Sequence, residues 1–348
     1  MSDKKPASPF GTHRVLEPEG VMPQAAWRID NRMEPWSNEI LVNVLTLNLD
    51  SASFHQIKEA AGGDQDAIGR TVLETIEKRG KQHNPVTGSG GMFIGEIAEV
   101  GPDLQDEVDV VPGDRIASLV SLSLTPLRLE EIEAIDLESG QIDVRGRAIL
   151  FESGVFAKLP TDMPEKVALA VLDVAGAPAQ VSRLVSKDDT VVVLGPGGKS
   201  GLLCLHEARK QAGPGGKIIA LYRSEGAAAR VRESKLADEL VRADANRPTE
   251  VYDAVMQVTR GRFADVAINC TNVPGTEMAS ILSCHDGGRV YFFNMATSFT
   301  AAALGAEGVG KDVELIIGNG YARGHADHAL NIMRENQVLR GMFEKMFG

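Results

Sequence analysis

Three absences narrow the reading of this chain before any motif does. Its cysteines are few and scattered: Cys204, Cys270 and Cys284 are an odd number, lie far apart in apolar stretches and form no C-x-x-C pair. That pattern argues against a disulfide framework and a structural zinc lobe, and leaves the three as small core residues of a reducing compartment. Positive charge is scarce too, with 36 Lys and Arg against 48 Asp and Glu, a net charge of −12 and no basic block. Such a balance speaks against a nucleic-acid or anionic-membrane surface and leaves room for a cationic small molecule. No apolar run reaches the length of a membrane span, and the polar start, MSDKKPASP, lacks the basic opening and apolar run of a signal peptide. The expected location is the cytoplasm.

What is present is an ordinary globular composition, 43% hydrophobic and 24% charged, over 348 residues, enough for two domains. From about Gly11 to Pro160 the pattern is short strands and turns, EILVNVLTLNL, FIGEIAEVGP, DVVPGDRIASLV and QIDVRGRAILF. Alternating apolar residues bounded by Gly, Pro and Asp predict a β-rich domain of barrel type. A helical insert between Asp50 and Arg79 carries apolar residues at Ile68, Val72 and Ile76, spaced by four. From about Pro164 to Gly318 strands alternate with helices. The strand candidates are Thr190 to Leu194, Lys217 to Tyr222, a short one near Leu240, Asp265 to Asn269, Arg289 to Phe293 and Val313 to Ile317. That is the count of a doubly wound, six-stranded parallel Rossmann sheet in an α/β protein. The predicted domains are therefore 1–160 and 161–318, with 319–348 returning to the first.

The segment DTVVVLGPGGKSG, Asp189 to Gly201, is the most informative one. Its valines read as a buried parallel strand that runs into glycines and then a helical pattern, the front of a dinucleotide-binding βαβ unit. Gly195, Pro196, Gly197, Gly198, Lys199 and Ser200 would cradle a pyrophosphate at the helix N-terminus, although Ser200 stands where G-x-G-x-x-G has its third glycine. A Walker A loop is excluded because it would need glycine at Val193. The next strand ends Tyr222-Arg223-Ser224 instead of in an acidic residue, which suits a ribose 2′-phosphate and points to NADP over NAD, with Glu225 as the counter-argument. Cys270, Thr271 and Asn272 end one later strand and Asn294, Met295 and Ala296 the next, so these should hold the nicotinamide half.

The order of the domains, with GEIAEVGPDL, VVPGDRIASL and FAKLPTDMP in their places, resembles the medium-chain dehydrogenase/reductase superfamily, whose N-terminal domain is GroES-like. GTHRV, NLDSASF, NPVTGSGGMFIG, DVAGAPAQV, NCTNVPGTEMAS and FFNMATSF are similar to the L-erythro-3,5-diaminohexanoate dehydrogenase family, amine dehydrogenases of lysine fermentation. The resemblance implies NAD(P)-dependent oxidative deamination of a small diamino acid and a homodimer or homotetramer. Zinc members of the superfamily carry Cys, G-H-E and Cys where this chain has Leu49-Asp50, Gly88-Ser89-Gly90-Gly91 and the neighbourhood of Asp173, so no zinc is expected. An amine substrate needs carboxylates and a base instead of a Lewis acid. Matching places Asp50 and Asp173 there; Asp50 could equally cap the following helix, whereas Asp173 sits in the apolar run ALAVLDVAGAPA, where an unpartnered carboxylate is costly.

Ser51, Ser53, Thr87, Ser89 and Gly90 are candidate pocket residues, His83 beside Asn84 is the candidate base, and Arg28, Lys81 or Arg323 could take the substrate carboxylate. His325 and His328, without a further ligand, read as polar residues at a helix start. A zinc-free quinone or enoyl reductase and a non-catalytic NADP-binding protein remain as alternatives.

Overall fold

The computed structural model describes residues 7–49, 51–84, 88, 90–294, 296–318 and 320–348. The chain divides into two compact units, Met1–Pro160 and Thr161–Gly348. In the first, β1 (Val15–Glu17) and β2 (Arg28–Ile29) form a small ribbon, and β3 (Glu39–Asn48) leads into α1 (Ser51–Ala60) and α2 (Gln65–Arg79). The strands β4 (Met92–Val100), β5 (Arg115–Ser118), β6 (Leu127–Ile135), β7 (Gln141–Phe151) and β8 (Phe156–Lys158) complete it. Six of these strands make one antiparallel sheet in the order β6-β7-β3-β4-β5-β8, the GroES-like arrangement. Ile40, Val42, Val44 and Leu47 of β3 meet Phe93, Ile97, Ile142 and Val144 in its core.

The helical insert follows its period. Ile68, Val72 and Ile76 of α2 are buried, Asp64 caps the helix by accepting from the Ala67 N–H at 2.9 Å, and Gly80 ends it with φ 72°. These are the N-terminal carboxylate and left-handed C-terminal glycine that helix ends favour.

A buried ion pair pins the start of this unit. Arg14, 2% exposed, donates through Nε and Nη2 to the two oxygens of Glu39 at 2.7 and 2.6 Å and through its remaining N–H groups to the carbonyls of Asp30, Arg32 and Glu34. Burial alone would raise the Glu39 carboxyl, but the hydrogen bonds from His13 and Arg14 hold it below its ordinary value.

The second unit opens with α3 (Glu165–Leu172) and α4 (Gly176–Leu184), then alternates strand and helix. In order come β9 (Thr190–Leu194), α5 (Lys199–Ala212), β10 (Lys217–Tyr222), α6 (Glu225–Ser234), β11 (Glu239–Arg242), α7 (Pro248–Thr259), β12 (Ala264–Asn269), α8 (Glu277–Leu282), β13 (Cys284–Phe292), α9 (Phe299–Val309) and β14 (Val313–Ile317). All six strands are parallel, in the order β11-β10-β9-β12-β13-β14. Sequential strands run outward from β9 in both directions, so the order reverses beside β9 and opens the crevice at which doubly wound sheets bind ligands.

The tail departs from the expectation. α10 (His325–Glu335) and α11 (Gln337–Phe347) pack on α3, α4, α5 and α6, inside the second unit instead of with the first. The reason lies in their faces: Ala329, Leu330, Ile332, Met333, Leu339, Met342 and Phe343 are buried, and Arg334 grips Asp162 at 2.9 Å. The apolar pair α3 and α4 is bent by 49°, and among the described residues no single helix is long and apolar enough to cross a membrane.

Candidate functional site

The glycine loop forms one wall of a cavity of about 240 Å³ at the carboxyl edge of the parallel sheet, lined by Gly195, Pro196, Gly197 and Gly198. Tyr222, Arg223 and Ser224 from the end of β10 and Cys270, Thr271 and Asn272 from the end of β12 line it as well. Gly195 takes φ +73°, and a Cβ there would stand 2.9 Å from the carbonyl carbon of Cys270. A Cβ on Gly201 would lie 2.3 Å from the Gly195 oxygen, so the close approach between loop and helix is made one residue after the position where the fingerprint places its third glycine. Lys199 and Ser200 are the first residues of α5, where the backbone N–H groups have no intrahelical partner.

At the ribose end, Ser224 caps α6 by accepting from the Ala227 N–H at 3.3 Å, while Arg223 is exposed beside it. Glu225 is outside the lining and is turned to Arg232 and Arg242 at 3.6 and 4.0 Å. Several lining residues escaped the sequence reading: Ala227, Arg230, Asp244, Asn246 and Thr276. Arg230 Nε donates to the Gly197 carbonyl at 2.7 Å, fastening the loop to α6. Asp244 and Asn246 follow β11, and extending the carboxyl-edge rule to that short strand would have found them.

Asp173 is not the buried carboxylate that its apolar surroundings predicted. It is the C-terminal cap of α3, its side chain is 40% exposed, and Oδ2 accepts from Lys199 Nζ at 2.5 Å. Lys199 Nζ also lies 5.8 Å from the ring centroid of Phe347. The pair adjoins the glycine loop through Lys199, so the carboxylate is positioned although isolation in an apolar core is not what positions it.

In the second unit Cys270 is buried with Sγ 3.7 Å from Cys204 Sγ, and all three cysteines are free and buried. Asn294 accepts from the Ala296 N–H at 2.9 Å at the end of β13, outside the cavity lining. His328 Nε2 meets the buried Glu207 at 3.0 Å and His325 packs edge-on against Tyr321, so both serve the helix packing.

The first unit brings its candidates together less directly. Asp50, Thr87, Ser89 and Met295 of the second unit's β13 loop lie outside the described residues, as does the side chain of Ser51. Ser53 is 1% exposed inside α1 and is not a surface for ligand. Lys81 is fully buried and donates to the Pro23 and Gln24 carbonyls at 2.6 and 3.1 Å, a structural pin instead of a carboxylate receptor. Burial, with Arg79 close by, lowers its amine to about 8. The same burial, together with Arg79 and Lys81, lowers His83 to about 4, so its imidazole is neutral at neutral pH and a weak base. Its Nδ1 is buried without a partner among the described residues. Arg28 and Arg323 are exposed, one in each unit. Among the described residues no three His, Cys, Asp or Glu side chains stand together as metal ligands.

Residues 13–160 match the L-erythro-3,5-diaminohexanoate dehydrogenase N-terminal domain. The whole chain is similar to the L-erythro-3,5-diaminohexanoate dehydrogenase of Acetoanaerobium sticklandii, 54% identical over 97% of this chain and 98% of the relative. It is 52% identical to that of Fusobacterium nucleatum subsp. nucleatum over the same shares. A native mycobacterial protein solved in complex with NADPH shares the fold, with a TM-score of 0.57 at 14% identity over 90% of this chain and 84% of that one.

Proposed function

This chain belongs to the L-erythro-3,5-diaminohexanoate dehydrogenase family and is an oxidoreductase acting on an amino-group donor, and from that premise we propose that it oxidatively deaminates L-erythro-3,5-diaminohexanoate with a nicotinamide dinucleotide and no zinc. The products are 5-amino-3-oxohexanoate, ammonium and the reduced dinucleotide. One observation carries the cofactor part: a cavity walled by Gly195 to Gly198 and the ends of β10, β11 and β12 has the glycine contacts and helix N-terminus a pyrophosphate requires.

When bound, the dinucleotide supplies the hydride acceptor for the substrate C3. The residues of the chain do the rest. The loop and the start of α5 hold the pyrophosphate, and Arg223 with Ser224, free of any carboxylate from Glu225, favours a 2′-phosphate and therefore NADP. Asp173, steadied by Lys199 at 2.5 Å, accepts the hydrogen bonds of a substrate ammonium. The C3 amine must be deprotonated for its C–H to leave as hydride; the resulting iminium takes up water and releases ammonium. Leu49, Gly88 and Gly90 at the places of zinc ligands support metal-free chemistry. His83, neutral at neutral pH, fits a hydrogen-bond acceptor better than a general base.

The test is to incubate the protein with the diamino acid and either NAD or NADP, with and without a chelator, and to follow reduced nicotinamide and ammonium together. Matched production of both, surviving chelation and with higher kcat/KM for NADP, is the expected result. Reduction of a quinone or enoyl substrate without ammonium release overturns the reaction, and a preference for NAD overturns the role of Arg223. Asp173→Asn should lower kcat/KM by about ten- to a hundred-fold, the worth of a hydrogen bond to a charged group; unchanged turnover removes Asp173 from the mechanism.

A further inference from the structure

Asn269 ends β12 near the middle of the parallel sheet, between β9 and β13, and is completely buried. A primary amide there carries two donors and an acceptor oxygen out of reach of water, and each is costly if left unmade. All are used. Nδ2 donates to Thr276 Oγ1 and Ser280 Oγ, both at 2.9 Å. Oδ1 accepts from the Thr271 N–H at 3.0 Å, from Thr271 Oγ1 at 2.8 Å and from Asn294 Nδ2 at 3.0 Å. The Thr271 N–H can only donate, which fixes which end of the Asn269 amide is the oxygen.

The chain of bonds continues through Asn294, and a separate bond ties the neighbouring loop on the other side. Asn294 Oδ1 accepts from the Ala296 N–H at 2.9 Å and from Thr297 Oγ1 at 3.3 Å, shaping the loop after β13. On the other side Asn246 Nδ2 donates to the Pro274 carbonyl at 2.8 Å, tying the end of β11 to the loop after β12. Asn246, Thr271 and Thr276 line the cavity, whereas Asn294 and Ala296 lie beyond its lining. We propose that Asn269 is a positioning residue that locks the loops after β12 and β13 into one preformed edge, so that a dinucleotide seated at its adenosine end finds the nicotinamide end already in place.

The proposal rests on the dinucleotide reading above and can fail separately from it. Asn269→Ala removes every side-chain bond at once and risks the fold, so Asn294→Asp is the decisive variant: it replaces the Nδ2 donor by a charged acceptor set against Asn269 Oδ1 while keeping the acceptor for Ala296 and Thr297. The probes are the reduced dinucleotide, whose nicotinamide is uncharged, and the matching ADP-ribose or its 2′-phosphate, which lacks the ring. Asn294→Asp should weaken the reduced dinucleotide about ten-fold, one hydrogen bond's worth, and leave the truncated probe within about two-fold of wild type. Equal loss for both probes, or loss for neither, overturns the coupling. Wild-type protein that binds neither probe sinks the dinucleotide reading and this proposal with it.

Discussion

Two buried polar clusters, one in each unit, are held in opposite ways. In the first unit the cluster is charged: Arg14 pairs with Glu39 at 2.6 Å, and Lys81 donates to two carbonyls. In the second, the Asn269 cluster at the sheet's carboxyl edge is neutral, with Thr271, Thr276, Ser280 and Asn294, while the buried Glu277 beside it accepts from the Ser298 N–H at 2.7 Å. A buried charge tolerates only one arrangement of partners and suits a fixed entry loop, whereas a neutral network can face a ligand without a permanent field of one sign. The contrast breaks hardest at Glu39→Gln, which leaves the Arg14 guanidinium buried without its counter-charge. It should cost about 3–5 kcal/mol, read as a lower urea midpoint. Because the Glu39 carboxyl is held below its ordinary value, its contribution is full above the unfolded carboxylate range and is lost as pH falls through the folded value. The variant should lose that acid dependence, and a stability close to wild type would show the pair to be dispensable.

Much of this was legible in the residues alone, for reasons that are physical. Valine and isoleucine runs such as Thr190 to Leu194 and Lys217 to Tyr222 are buried on both faces of a parallel sheet, so their pattern has few other uses. The glycine loop announced itself because few other residues fit its contacts. What stayed hidden depends on distant partners. The exposure of Asp173 follows from its place at the end of α3 and from Lys199 on another helix, and the docking of α10 and α11 is settled by which apolar face they meet. The depression of His83 comes first from its burial, which the sequence does not reveal, whereas the cations that add to it, Arg79 and Lys81, stand only four and two residues before it.

Lys81 sharpens the comparison through pH. Its amine titrates at about 8 in the folded state against an ordinary value of 10.5, so above pH 8 the unfolded chain binds more protons than the folded one. Stability should therefore rise between about pH 8 and 10.5 by up to about 3 kcal/mol, at about 1.36 kcal/mol for each tenfold change in proton affinity, and be flat on this account below pH 8. Lys81→Met should remove that slope from the difference between the two unfolding curves. Parallel curves across the window would mean that Lys81 reaches water in the folded state.

The smallest effect belongs to the neutral network. Ser280 Oγ accepts from Asn269 Nδ2 at 2.9 Å and donates to the Thr276 carbonyl at 3.1 Å within the buried face of α8. Ser280→Ala leaves one amide hydrogen of Asn269 without a partner while the other keeps Thr276, so the expected cost is about 1–2 kcal/mol, below that of Glu39→Gln. No ionisable group is lost, so the cost should be the same at about pH 6 and pH 9 and in low and high salt, as measured by urea unfolding. A cost that grew with pH or shrank with salt would show that the Asn269 cluster is coupled to a charge such as the neighbouring Glu277, and the contrast between the ionic Arg14–Glu39 pair and a neutral Asn269 cluster would not stand.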